Sequence, residues 1–329
     1  MRMLFLPLVL SAFCACSGST ASIPNSTSDG TLPTPAMPGA TGSPTSSGGS
    51  STPSSPTAAP TSTVPAQPTG PWPGSNLDIL PFAAQKQASG AGWGVALTDL
   101  VTHLPASYGT QYDVPDDFPS WGRVVTVGID NFLTNYQNVT GKTAGGFYLM
   151  KNRFTLVVEP PATKLASVAT YVPVSLRGSR YQDSLVQPLT NWNDTPTYVF
   201  DDWVSYTNGS EVGVELVKNG SYNVQTDGVA ANLELTVYSL ALGLAVATLD
   251  AAYYASYTQF REFLAWSAER AMNLYRTGAV LPTFVSAASN AYYAAWRTSA
   301  DAIPLRNYAR RAFGGTYCTQ VLGIGPNKE

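Results

Sequence analysis

Residues 233–276 read LELTVYSLALGLAVATLDAAYYASYTQFREFLAWSAERAMNLYR. The stretch contains no proline and a single glycine, Gly243. Proline breaks a helix interior and glycine weakens it, so the segment reads as two helices or one long kinked helix. Phe260, Phe263, Leu264, Ala271 and Leu274 recur at helical spacing, with Arg261, Glu262, Glu269 and Arg270 opposite them. That is the pattern of a helix packed on one side. Upstream, Leu235–Leu249 carries no charge. It is shorter than the roughly 20 apolar residues that span a bilayer, and reads as a helix buried in a bundle.

Working outward, Thr277-Gly278 closes this segment, Pro282–Thr298 forms a further helix, and Asp301 caps another that ends at Gly314-Gly315. On the N-terminal side, Thr195 and Pro196 are an N-cap and first helical residue. Val199, Phe200, Trp203 and Val204 give that helix an apolar face, and Asn208-Gly209 reads as its stop. Glu211–Val224 fits either a hairpin around Asn219-Gly220 or a short helix. Lys164–Tyr171 and Ser175–Val186 read as helices. Phe147–Met150 and Arg153–Val158 flank Lys151-Asn152 as a hairpin, and the alternating, β-branched Arg123–Ile129 reads as a strand. The fold expected is α+β and predominantly helical. A small β element lies in the first half of a single globular domain, 77–329, and a helical bundle in its C-terminal half.

Before this domain, residues 16–76 are mostly Ser, Thr, Pro, Gly and Ala, with Asp29 the one charge. Such a segment buries too little apolar surface to offset its ordering entropy, and reads as a disordered linker with a span of ~40 Å. Residues 1–15 have a basic start at Arg2 and an apolar run, Leu4–Ala15, the pattern of a signal peptide. Phe13-Cys14-Ala15-Cys16 resembles the lipobox of bacterial lipoproteins, with small Ala15 before the cysteine and Phe13 where leucine is usual. The resemblance implies a lipid such as palmitate on Cys16 and a location in the cell envelope. Ser17 resembles the outer-membrane-sorted form. Secretion is the alternative, and Asn25, Asn138, Asn193, Asn208 and Asn219 each begin an Asn-x-Ser/Thr sequon.

Composition narrows the chemistry. Loss of the leader removes Arg2 and leaves a net charge of −4, and no basic cluster occurs, which argues against nucleic acid as a partner. One histidine, His103, and one domain cysteine, Cys318, leave no zinc motif and no internal disulfide. No G-x-S-x-G elbow or phosphate-binding glycine loop is present, so no metal and no cofactor are expected. Carboxylate chemistry needs only two acids in one cleft. Asp113, Asp116, Asp117, Glu159, Asp201, Asp202, Glu234, Asp250, Glu262 and Glu269 supply candidates.

Glu159 follows an apolar strand, Asp202 and Tyr206 lie four apart on one helix face, and Arg177 and Arg180 are counter-ions. Glu159, Asp202, Tyr206 and Arg180 form the catalytic set. In the structural alternative Asp201 and Asp202 serve the helix dipole and Glu159 merely ends a strand. Phe200–Gly209 resembles the second active-site helix of zinc-dependent peptidases. Without the rest of that site, the resemblance implies a metal-less relative. Tyr253, Tyr292 and Trp296 mark two aromatic helix faces that serve either sugar stacking or packing. The reading is a membrane-anchored surface lipoprotein with a binding or scaffold role toward a cell-surface glycan or protein. The alternative is a carboxylate hydrolase acting on a glycan or peptide outside the membrane.

Overall fold

The computed structural model describes residues 76–108, 117–137, 144–224, 226 and 228–325, all within the unit Thr63–Glu329. The export segment, Cys16, the linker up to residue 75, Asp113, Asp116 and Asn138 lie outside the described residues. Three strands, β1 (Leu80–Pro81), β2 (Ala144–Tyr148) and β3 (Arg153–Val158), form an antiparallel sheet in the order β1-β3-β2. The α-helices are α1 (Gly94–His103), α2 (Phe118–Gln137), α3 (Leu165–Tyr171), α4 (Leu189–Trp192), α5 (Tyr198–Lys218), α6 (Ala230–Leu249), α7 (Ala251–Ser256), α8 (Thr258–Gly278), α9 (Ala287–Thr298), α10 (Ile303–Phe313) and α11 (Gly315–Gln320). The protein is predominantly helical α+β, with its sheet in the first half of the domain.

The hairpin expected around Lys151-Asn152 is present, with Tyr148 opposite Phe154. Met150, Lys151 and Asn152 all have positive φ. The Asp99 carboxylate holds that turn by accepting the Lys151 N–H and the Tyr148 hydroxyl, each at 2.9 Å.

Arg123–Ile129 is not a strand; it lies inside α2. Val125 and Ile129 satisfy the four-residue spacing as well as the alternation, and the helical spacing alone extends to buried Trp121 and Leu133. Pro119 sits in the first turn, where a missing N–H is tolerated. The helix covers the free edge of β2 and satisfies its backbone. Gly146 N–H donates to Thr134 Oγ1 at 2.9 Å, and Tyr148 N–H to Asp130 Oδ1 at 2.7 Å. Asn208 Nδ2 donates to Tyr148 O at 3.0 Å. A sheet edge closed by side chains cannot recruit another strand. The approach requires Gly146, where a Cβ would fall 2.5 Å from Leu133 Cβ.

Other boundaries also differ. Ser175–Val186 is a 3₁₀ turn (Val174–Leu176), a loop and a π-helical turn (Gln182–Val186). Thr195 is not the cap, since α5 starts at Tyr198. Asn208-Gly209 does not end α5, because Asn208 is fully buried and bonded to Thr126 Oγ1 and Tyr148 O. Its sequon is therefore inaccessible. The helix runs to Asn219-Gly220, where Gly220 has φ +71° and Ser221 N–H returns to Leu216 O. This is a helix stop, so the Asn219-Gly220 hairpin is not formed.

Two cores result. The larger joins α3, α5, α6, α8, α10 and α11 through residues such as Phe200, Leu240, Phe263 and Phe313. The smaller joins α1, α2, the sheet and the C-terminal half of α5 through Leu97, Val125, Phe154 and Val212. The long segment at 233–276 forms α6, α7 and α8. Helix α6 alone among the described helices is long and apolar enough to cross a membrane, and 89% of its apolar window is buried.

Candidate functional site

Helix α5 contributes to both cores: Val199, Phe200 and Trp203 to one, Val212 and Leu216 to the other. The stripe Asp202, Tyr206, Gly209 and Gly213 recurs at spacings of four, three and four, so it lies on one side of the helix. Against it lie Asp117, just before α2, and Pro119, Ser120 and Arg123 from the first two turns of that helix. Gly209 permits this contact; a Cβ there would meet Pro119 O at 2.7 Å. Together with Arg180, Ser210, Gly228 and Phe284, these elements line a cleft of about 200 Å³. That is smaller than the pockets of about 300–1,000 Å³ that enclose drug-sized ligands.

Tyr206 holds the cations in place. Arg123 Nη1 donates to its hydroxyl at 2.6 Å, and the guanidinium carbon lies 4.2 Å from the ring centroid. The Arg180 guanidinium lies 5.2 Å from the same ring and pairs with Glu234 at 3.0 Å. Glu234 also accepts the Arg180 backbone N–H, Ser179 Oγ and the Tyr238 hydroxyl. Arg180 is therefore fixed and largely neutralised, whereas Arg123 is exposed at the cleft. A guanidinium has five N–H donors. Among the described residues, Tyr206 is the one hydrogen-bonding partner of Arg123.

Behind this pair is a row of acids. Asp202 is half-buried, and burial pushes its carboxyl up to about 6, with Asp183 adding to the rise. A hydrogen bond from Ser184 and the charges of Arg123 and Arg180 pull the other way. Burial and then the Asp202 charge push Asp201 up to about 8. Fully buried Asp130 is raised well above the usual carboxylate range by burial and then by Asp201. Its Oδ1 binds Tyr148 N–H, and its Oδ2 has no hydrogen-bond partner. Like charges in a dry site disfavour simultaneous ionisation, so Asp201, raised by the Asp202 charge, holds its proton more strongly than Asp202 does.

Of the catalytic set read from sequence, Tyr206 and Arg180 line the cleft, and Asp202 lies one turn before Tyr206 on the same side of α5, outside the lining. Glu159 does not join them. It accepts hydrogen bonds from the Thr197 backbone N–H and hydroxyl at the start of α5. Burial raises it to about 7 although those bonds act downward. The three aromatics are each tied to a backbone carbonyl: Tyr253 donates to Val158 O, Tyr292 to Leu176 O and Trp296 Nε1 to Leu322 O. The buried Cys318 thiol is pushed up to about 12. His103 is buried, with Nδ1 2.6 Å from Asp99 O.

Arg123 and Asp130 were not found from sequence, because the strand reading hid the helix face that carries them. Their spacing of seven on that face, with Thr126 between, was the available signal. No protein family, curated protein or solved structure matches the chain.

Proposed function

We propose that this chain is a cell-envelope lipoprotein, tethered to the outer membrane through lipid on Cys16, that binds a glycan unit without turning it over. Residues 1–15 act as the signal peptide, and the segment that follows Cys16 joins the lipid to the domain. Residues 77–329 then form one domain whose C-terminal half is a helical bundle. The observation that supports binding is the Arg123–Tyr206 pair at the cleft. Around it, Ser120 Oγ donates to Asp117 Oδ2 and Ser210 Oγ to Gly228 O, so the two hydroxyls are left as acceptors toward a polyol.

Calorimetry with soluble peptidoglycan fragments and neutral oligosaccharides tests this. Arg123→Ala should weaken binding about tenfold or more, the loss expected for a hydrogen bond to a charged group. Unchanged affinity would remove the cleft from the account. In cells, Cys16→Ser should move the protein to the soluble fraction; retention in membranes would refute the tether.

A second reading, carboxylate hydrolysis of the same glycan, draws on the split between Asp201 and Asp202. Neutral Asp201 would be the proton donor and charged Asp202 the base. Reducing ends released by the wild type and not by Asp202→Asn would favour it.

A further inference from the structure

The cleft mixes charges in an order that bears on the ligand. Arg123 is the exposed cation, preorganised by its hydrogen bond and ring contact with Tyr206. A guanidinium fixed in this way loses little freedom on binding and presents a planar fork that fits a carboxylate. Asp202 lies one turn before Tyr206 on the same side of α5, outside the cleft lining, and is the acid whose charge Arg123 offsets. The other charged and titratable groups around Asp202 come from every neighbouring element. Helix α2 provides Arg123, and Asp130 behind Asp201. Helix α5 provides Asp201, Tyr198 and Tyr206. The π-helical turn provides exposed Asp183. The loop before it provides Arg180, already paired with Glu234 of α6.

Resting on the binding reading above, we infer that the ligand unit carries a single carboxylate, held by Arg123, and that it binds together with a proton taken up by Asp202. An anion at Arg123 competes with the Asp202 carboxylate for the same positive charge. Protonating Asp202 removes the competitor and a source of repulsion. A monoanion suits the site better than a dianion, because Asp117 lies on the same wall. With Asp202 titrating at about 6, anion affinity should rise as pH falls from 8 to 5. A ligand carboxylate with an ordinary value near 4 stays charged over that range. By linkage, each binding event takes up protons when Asp202 starts ionised.

The test uses glucuronate against glucose, a pair differing by one carboxylate, with inorganic phosphate as a third arm, titrated into the wild-type chain at pH 5, 6, 7 and 8. Glucuronate should bind about tenfold more tightly at pH 5 than at pH 8, within the usual range for coupled sites. Asp202→Asn should bind glucuronate at every pH as the wild type does at pH 5. Arg123→Gln should bind glucuronate and glucose alike. Thermal unfolding of each variant at the same pH separates lost binding from lost fold. Equal binding of glucose and glucuronate, or glucuronate affinity independent of pH, overturns this inference and leaves the glycan site standing. Preference for phosphate assigns Arg123 to a phosphoryl group and also overturns it. No binding of any probe by the wild type overturns the cleft reading and this inference with it.

Discussion

The α6–α8 layer and the α2–α5 seam are both buried helix contacts, yet they are made of opposite materials. Along α6, Leu235, Val237, Leu240, Ala241, Leu242, Ala245 and Val246 are completely enclosed. Polar Asn232, Glu234, Thr236 and Ser239 are buried in its N-terminal half, and Glu234, its one carboxylate, is paired with Arg180. Across α2 and α5 the buried residues include Thr126, Asp130, Ser205 and Asn208, with half-buried Asp201 and Asp202 at the edge. Burying carboxyl groups without full pairing is unfavourable. The difference teaches that the hydrophobic layer supplies stability, and the seam spends some of it to place charges beside the cleft. Perturbed acids in a cleft are a common mark of functional sites.

Breaking the apolar side should have the largest effect. Phe263 is fully buried, and its ring centroid lies 4.9 Å from those of both Phe147 and Phe200. Phe263→Ala should destabilise by about 3–5 kcal/mol through lost burial and a cavity, measured by urea unfolding. A loss below about 1 kcal/mol would mean that this layer is not the stabilising one. At the seam, Gly209→Ala places a methyl 2.7 Å from Pro119 O. That overpacking should destabilise by about 1–3 kcal/mol. It should also widen the cleft wall, so ligand affinity should fall with it; a neutral substitution would show that α2 and α5 do not meet there.

The same contrast explains what the sequence disclosed. Helices α6 and α8 were readable because burial alone dictated their residues, and periodicity reports burial. The hairpin was readable from its turn. Helix α2 was misread because Arg123–Ile129 fits both periods, and the deciding residues, Trp121 and Leu133, lie outside that window. Helix α5 was cut short at Asn208-Gly209 because this pair resembles a stop. In the fold those residues serve contact with Thr126, Tyr148 and Pro119. Asp202, Tyr206 and Arg180 were legible as a set because two share a helix face. Arg123 was not, since its partner is 83 positions away and no local pattern encodes that pairing. Glu159 looked functional by following a strand, but tertiary structure assigns it to the start of α5.

The central claim, that the seam's acids oppose stability while serving the cleft, is tested most directly by melting at two pH values. Asp201, Asp202 and Glu159 are raised to about 8, 6 and 7 from unfolded values near 4. Between those limits the folded chain binds more protons than the unfolded one, so stability falls as pH rises. The stability linked to these groups is complete below about pH 4 and has gone by about pH 8. The wild type should therefore melt at least about 2–4 °C lower at pH 8 than at pH 5, the shift that a net effect of about 1 kcal/mol gives. The double variant Asp201→Asn, Asp202→Asn should lose the part of that slope that these two acids contribute, with Glu159 and Asp130 keeping theirs, and melt above the wild type at pH 8. A double variant that melts below the wild type at pH 8, with the slope unchanged, would contradict the account.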